Sequence, residues 1–154
     1  MYKRQFLDGN EPFLVHNADI LSDINLAELY RHHRESNAEA TLLVSQRQTS
    51  RYLLLDDANR LHGWINKSTG ETKPEGFSFQ ERQYKEMAFG GIHVISPSLF
   101  RYMERGQWEG KFSIIPFYLS VCETVCIQGY PLQDLRWFDI GKPETLAKAE
   151  EYYR

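Results

Sequence analysis

Phe13-Leu14-Val15-His16-Asn17-Ala18-Asp19 puts three apolar residues in a row ahead of a polar end. That pattern fits a parallel strand buried on both faces. Its polar end would emerge at the carboxyl edge of an open α/β sheet, where such sheets bind ligands. Asp19 would then stand on the rim of a cleft, where a carboxylate can hold a hard divalent cation and, through it, a phosphate. Capping the following helix is the plainer use of Asp19. A second short apolar run that meets a carboxylate, Trp137-Phe138-Asp139-Ile140-Gly141, lies far down the chain and favours a shared site.

The flanking elements mix strands and helices. Asp23 is a candidate N-cap for a helix in which Leu26, Leu29, Tyr30 and His33 recur at helical spacing. His32 and His33 are expected on its outer part. Ala40 to Gln46 reads as a strand centred on Leu42, Leu43 and Val44. Arg51 to Leu55 and Arg60 to Ile65 read as a hairpin around the turn formers Asp56-Asp57-Ala58-Asn59. Asn66 to Gly70 is another turn. The polar stretch Glu71 to Lys85, broken by Pro74 and Gly76, reads as surface loop.

Met87 to Ser96 is a strand interrupted by Gly90 and Gly91. Glycines inside a strand weaken it, so they mark either a close approach by backbone or ligand or a β-bulge. On the first reading, Gly91→Val would obstruct binding more than folding. A short helix opens at Ser96-Pro97. A second starts at Ser113, with Pro116 in its first turn. Strands at Thr124 to Gln128 and Leu135 to Ile140 precede a last helix opening at Pro143-Glu144, with Leu146, Ala149 and Tyr153 facing inward. This order implies an α/β fold with a mixed sheet.

The 154 residues fit one domain. A net charge of −3 offers no global attraction for nucleic acid or an anionic membrane. No apolar run is long enough for a membrane span, and the N-terminal stretch is polar and charged, unlike a signal peptide. Cys122 and Cys126 sit in apolar surroundings and read as buried free thiols of a cytoplasmic protein. The five histidines show no zinc-ligand spacing.

Val15 to Asp19, Phe89-Gly90-Gly91-Ile92-His93-Val94-Ile95-Ser96-Pro97 and Trp137 to Glu144 occur in that order and together resemble the sugar-phosphate nucleotidyltransferases. The likeness is to the branch with mannose-1-phosphate guanylyltransferases and N-acetylmuramate-1-phosphate uridylyltransferases. It implies a three-layer, Rossmann-like domain over residues 6–154, with residues 1–5 outside it. It also implies transfer of a nucleotide from a nucleoside triphosphate to a sugar 1-phosphate, with release of pyrophosphate. By this resemblance Asp19 and Asp139 are catalytic and hold Mg²⁺. Their carboxylates are expected to lie on the order of 5–8 Å apart, as Mg–O distances of about 2.1 Å require.

Lys67 stands near the family's Glu-Lys-Pro sequence, here Asn66-Lys67-Ser68, and would grip the sugar phosphate. A solvated turn lysine is the alternative. Asn17, Asn66, Gly90 and Gly91 would contact the sugar, whereas His93 reads as structural. One departure is large: the family's GxGxRxxPxT loop, which holds the triphosphate through backbone N–H groups and positive charge, is not in this sequence. The expectation is therefore an N-terminally incomplete catalytic unit, inactive in isolation, with its first strand left as an aggregation-prone edge. A non-catalytic sugar-phosphate-binding or regulatory module and a metal-dependent glycosyltransferase are the alternatives. The latter usually carries DxD where this chain has Asn17-Ala18-Asp19. The sugar, the base and the oligomeric state are not legible in these residues.

Overall fold

The computed structural model describes residues 7, 9–77, 83–104, 108, 111–133 and 136–153. The expected start at residues 1–5, Phe6 and Leu135 lie outside them. In chain order the elements are β1 (Phe13–His16), β2 (Ile20–Ser22), α1 (Leu26–Glu35), β3 (Ala40–Ser45), β4 (Arg51–Leu55) and β5 (Leu61–Asn66). Then come β6 (Glu71–Lys73), β7 (Lys85–Ile95), a 3₁₀ turn (Pro97–Leu99), α2 (Phe100–Met103), α3 (Ile114–Val121), β8 (Ile127–Pro131), β9 (Trp137–Asp139) and α4 (Pro143–Tyr152).

The main sheet runs β6-β5-β4-β7-β3-β8 and is mixed, because β3 and β8 are parallel while the other neighbours are antiparallel. The long β7 holds it together. Its first residues pair with β4, its last with β1, and β3 follows its other edge. Side chains alternate between two covered faces. Leu42, Val44, Leu53, Leu55 and Met87 pack with Phe117, Tyr118 and Leu119 of α3. Leu43, Ile92 and Val94 pack with Leu29 of α1. The result is the expected three-layer arrangement.

The strand expected to be parallel is antiparallel to β7 and only half-buried. Its apolar run follows from cover on both faces, since Phe13 and Val15 pack against one core and Leu14 against the other. Such cover does not fix strand direction. β1 nevertheless runs the same way as β3 and β8, so its carboxyl end shares their rim.

Other expectations shift. Asn25, not Asp23, caps α1, its side chain accepting the Glu28 N–H at 3.1 Å. Asp23 instead pairs with Arg136. His33 is buried rather than outward, within reach of the hydroxyls of Thr41 at 2.8 Å and Ser96 at 3.0 Å. The Glu71–Lys85 stretch begins with a strand, β6. The strand placed at Thr124 to Gln128 starts later, at Ile127. In α4 only Ala149 is buried, and Leu146 and Tyr153 are exposed. Cys122 is buried and Cys126 half-buried. Among the described residues, no helix is long and apolar enough to cross a membrane.

Candidate active site

β2 and β9 form a separate two-stranded ribbon at the rim. Its register sets Ile20 opposite Asp139, and the Ile140 N–H donates to the Asp19 carbonyl at 2.8 Å. Asp19, one residue ahead of β2, and Asp139, about 120 residues away in sequence, are thereby brought to the same end of the ribbon. A Cβ on Gly141 would stand 3.2 Å from Asp139 Oδ1 and 3.5 Å from Asp19 Oδ2. The two carboxylates therefore flank one small space and are closer together than the sum of those distances. Lys142 reaches Asp139 Oδ2 from the side at 3.4 Å. Among the described residues, no group of three or more His, Cys, Asp or Glu side chains is placed to hold a metal. A carboxylate pair with room beside it does fit Mg²⁺, which usually keeps several waters and takes one or two carboxylates plus substrate phosphates.

Gly90 and Gly91 form a bulge. Leu42 faces His93 and Val44 faces Phe89, so Leu43 alone spans Gly90, Gly91 and Ile92. The insertion is of two residues, and the faces of β7 are kept. Gly91 has φ +74, a left-handed conformation that suits glycine. A Cβ there would lie 2.9 Å from Ile20 and 3.0 Å from the Asn17 side chain, and one on Gly90 would lie 2.9 Å from Leu43. The close approach at these glycines is made by the chain itself. Their carbonyls are used likewise: Gly91 O accepts the Asn17 N–H at 2.9 Å, and Gly90 O accepts Trp137 Nε1–H at 2.8 Å. Asn17 and the bulge thus position the turn that carries Asp19.

Beside Asp139 opens a cavity of about 380 Å³, lined by Arg47, Arg51, Trp64, Trp137, Lys142 and Thr145 among others. The Arg47 guanidinium lies 4.0 Å over the Trp137 ring and donates through Nη2 to Phe89 O at 2.9 Å. Burial lowers its pKa and the nearby Asp139 opposes that shift. Arg47, Arg51, Trp64 and Trp137 were not singled out by sequence reasoning. The available signal was Arg47-Gln48-Thr49-Ser50-Arg51, a basic connector on the carboxyl side of a buried strand.

Lys67 and Asn66 are not among the residues lining this cavity. Lys67 pairs with Glu86 at 2.6 Å, and Asn66 Oδ1 accepts the Ser68 N–H at 3.0 Å within its own turn. Glu86 sits opposite Leu54, whereas the cavity residues Leu53 and Phe89 belong to the face that packs on α3. By alternation Glu86, with the Lys67 ammonium it holds, is on the other face of the sheet. His93 is buried 2.6 Å from the Tyr118 hydroxyl. Burial lowers its pKa to about 4, consistent with a structural role.

No family model matches the chain. It is 24% identical over 141 residues to the mannose-1-phosphate guanylyltransferase catalytic subunit beta of Danio rerio, covering 89% of this chain and 35% of that protein. The fold matches UDP-glucose pyrophosphorylase from Acinetobacter baumanii with a TM-score of 0.70 at 15% identity, over 97% of this chain and 53% of that one. It matches the inositol-1-phosphate CTP transferase of T. maritima with a TM-score of 0.65 at 18% identity, over 93% of this chain and 55% of that one. The resemblance to sugar-phosphate nucleotidyltransferases and their fold is thereby borne out. The chain spans 35% of the length of the Danio relative and 53% to 55% of the two solved structures.

Proposed function

With the nucleotidyltransferase fold as premise, we propose that this chain carries the sugar-phosphate side of a nucleotidyl transfer. An oxygen of a sugar 1-phosphate bonds to the α-phosphorus of a nucleoside triphosphate. The bond from that phosphorus to the pyrophosphate oxygen breaks, giving an NDP-sugar and pyrophosphate. A phosphate monoester loses its second proton near pH 6, so the attacking oxygen needs no general base at neutral pH. The observation that carries this reading is the pairing of Asp19 with Asp139 beside a cationic, aromatic-walled cavity. That cavity falls within the range of about 300–1,000 Å³ common for small-ligand sites. Asp19 and Asp139 would hold Mg²⁺, which when bound offsets the repulsion between the reacting phosphates. Trp64 and Trp137 wall the sugar side and limit water.

No two glycines in these 154 residues have GxG spacing, so the triphosphate loop of the family is not among them. That observation favours a second reading, a sugar-phosphate-binding module without turnover. The experiment follows pyrophosphate with residues 1–154, each nucleoside triphosphate, Mg²⁺ and a panel of sugar 1-phosphates, and measures sugar 1-phosphate binding in parallel. The expected result is Mg²⁺-dependent binding that Asp19→Ala and Asp139→Ala remove, without pyrophosphate release. Release that vanishes in Asp19→Ala would place the triphosphate site within these residues and exclude the binding module. Failure of every sugar 1-phosphate to bind in the presence of Mg²⁺ would overturn the assignment of the site.

A further inference from the structure

The cavity beside Asp139 is lined by three cations, Arg47, Arg51 and Lys142, and one carboxylate. Lys142 already meets that carboxylate. Among the described residues, neither arginine has a carboxylate within ion-pair distance. Arg47 is held in place by the Trp137 ring beneath it and by Phe89 O at one end of its fork. Among the described residues, its Nη1 makes no hydrogen bond. Arg51 opens β4 on the same face, next to Leu53 and opposite Asn66. The lysine that the resemblance would assign to the phosphate sits on the opposite face with Glu86.

We propose that Arg47 and Arg51 form the clamp for the phosphate monoester of the sugar 1-phosphate, in place of Lys67. This rests on the nucleotidyl-transfer reading above and names the residues that recognise the anion. A guanidinium braced on an aromatic face presents a planar, permanently charged fork with little rotamer freedom left to lose. Such a fork matches phosphate oxygens better than a flexible ammonium does. The position also serves the reaction, because an anion held at the cavity wall by Asp139 lies beside the carboxylate pair.

Calorimetric titration with inorganic phosphate and with mannose 1-phosphate tests the clamp on the wild-type protein, Arg47→Gln, Arg51→Gln and Lys67→Gln. Each arginine variant should weaken both ligands at least about tenfold, the scale of losing a charge-assisted hydrogen bond. Lys67→Gln should stay within about twofold. Arg51→Gln removes a side chain with no hydrogen bond to the described residues, so its melting temperature should be unchanged and its loss is read as binding. The clamp is overturned if Lys67→Gln carries the loss and the arginines do not, or if the wild-type protein binds neither ligand. Phosphate binding that depends on the arginines, without Mg²⁺-dependent binding of any sugar 1-phosphate, would keep the clamp and discard the transfer reaction.

Discussion

The central strands and the rim ribbon are built on opposite terms. Every residue of β3 is buried, as are the residues of β7 from Ile92 to Ile95. The polar groups there are matched internally, His93 with Tyr118 and His33 with Thr41 and Ser96. β2 and β9 have three residues each, all half-buried. They are tied to the centre through Asn17 on Gly91, Ile20 on Gly91 and Trp137 on Gly90. The carboxylates sit at one end of the thin ribbon, and a bulge in β7 sets where that ribbon lies. Stability and chemistry are thus separable here, with Gly90 and Gly91 as the joint between them.

Acid should act on the centre first. Burial lowers the pKa of His33 and of His93 from 6.5 to about 4. For His33, Glu39 opposes the shift and His32 adds to it. Between those two values the unfolded chain binds more protons than the folded one. Stability is therefore full above pH 6.5 and is lost as the pH falls towards 4. Each histidine should remove about 2 kcal/mol between pH 7 and pH 5. Urea unfolding at the two pH values measures this. Asp19→Asn and Asp139→Asn should leave the difference unchanged, because neither aspartate is among the groups acting on His33 or His93. An equal stability at both pH values, or a difference abolished by the rim variants, would break the contrast between the regions.

A smaller loss is expected at the joint. Gly91→Val forces a β-branched residue into a left-handed conformation and drives its Cβ against Ile20 and Asn17. The cost should be about 3 kcal/mol in denaturant unfolding. This reverses the expectation from sequence, in which the substitution harmed binding rather than folding. Unchanged stability with weakened sugar-phosphate binding would restore that expectation and remove the bulge as the anchor of the rim.

The parts legible in the sequence are those where a local pattern has one outcome. The β4–β5 hairpin follows from its turn formers, and β7 from an apolar run around two glycines. Asp19 and Asp139 were both placed on a rim because each lies at a short apolar run. The strand direction of β1 was not legible, since an apolar run reports cover on both faces and not the sense of the neighbour. Lys67, expected to grip the sugar phosphate, faces away from the cavity with Glu86, and its side depends on the register with β4 and β7, which no local pattern encodes. His33 carries the same lesson. Its helical spacing pointed inward, but its polarity suggested solvent until Thr41 of β3 and Ser96, just beyond β7, supplied partners. Arg47 was invisible for a similar reason, because Trp137, on which it rests, is 90 positions away in sequence.

The smallest effect on stability is expected at Trp137, and it sharpens the comparison most. Trp137→Phe keeps an aromatic ring in β9 but removes the indole N–H that donates to Gly90 O. A single neutral hydrogen bond contributes about 1 kcal/mol, and the freed carbonyl retains the option of water at a half-buried site. The fold should therefore lose only that amount. The ring, however, also supports the Arg47 guanidinium, and tryptophan is the best of the aromatic platforms for a cation. Loosening it should weaken sugar 1-phosphate binding about three- to tenfold through Arg47. If Trp137 acts in this way, combining Trp137→Phe with Arg47→Gln should weaken binding little more than Arg47→Gln alone, because both changes act through one guanidinium. Fully additive losses would mean that Trp137 contacts the ligand independently. A stability loss approaching that of Gly91→Val would mean that the ribbon is held by this one hydrogen bond, and that rim and centre are not the separable regions described above.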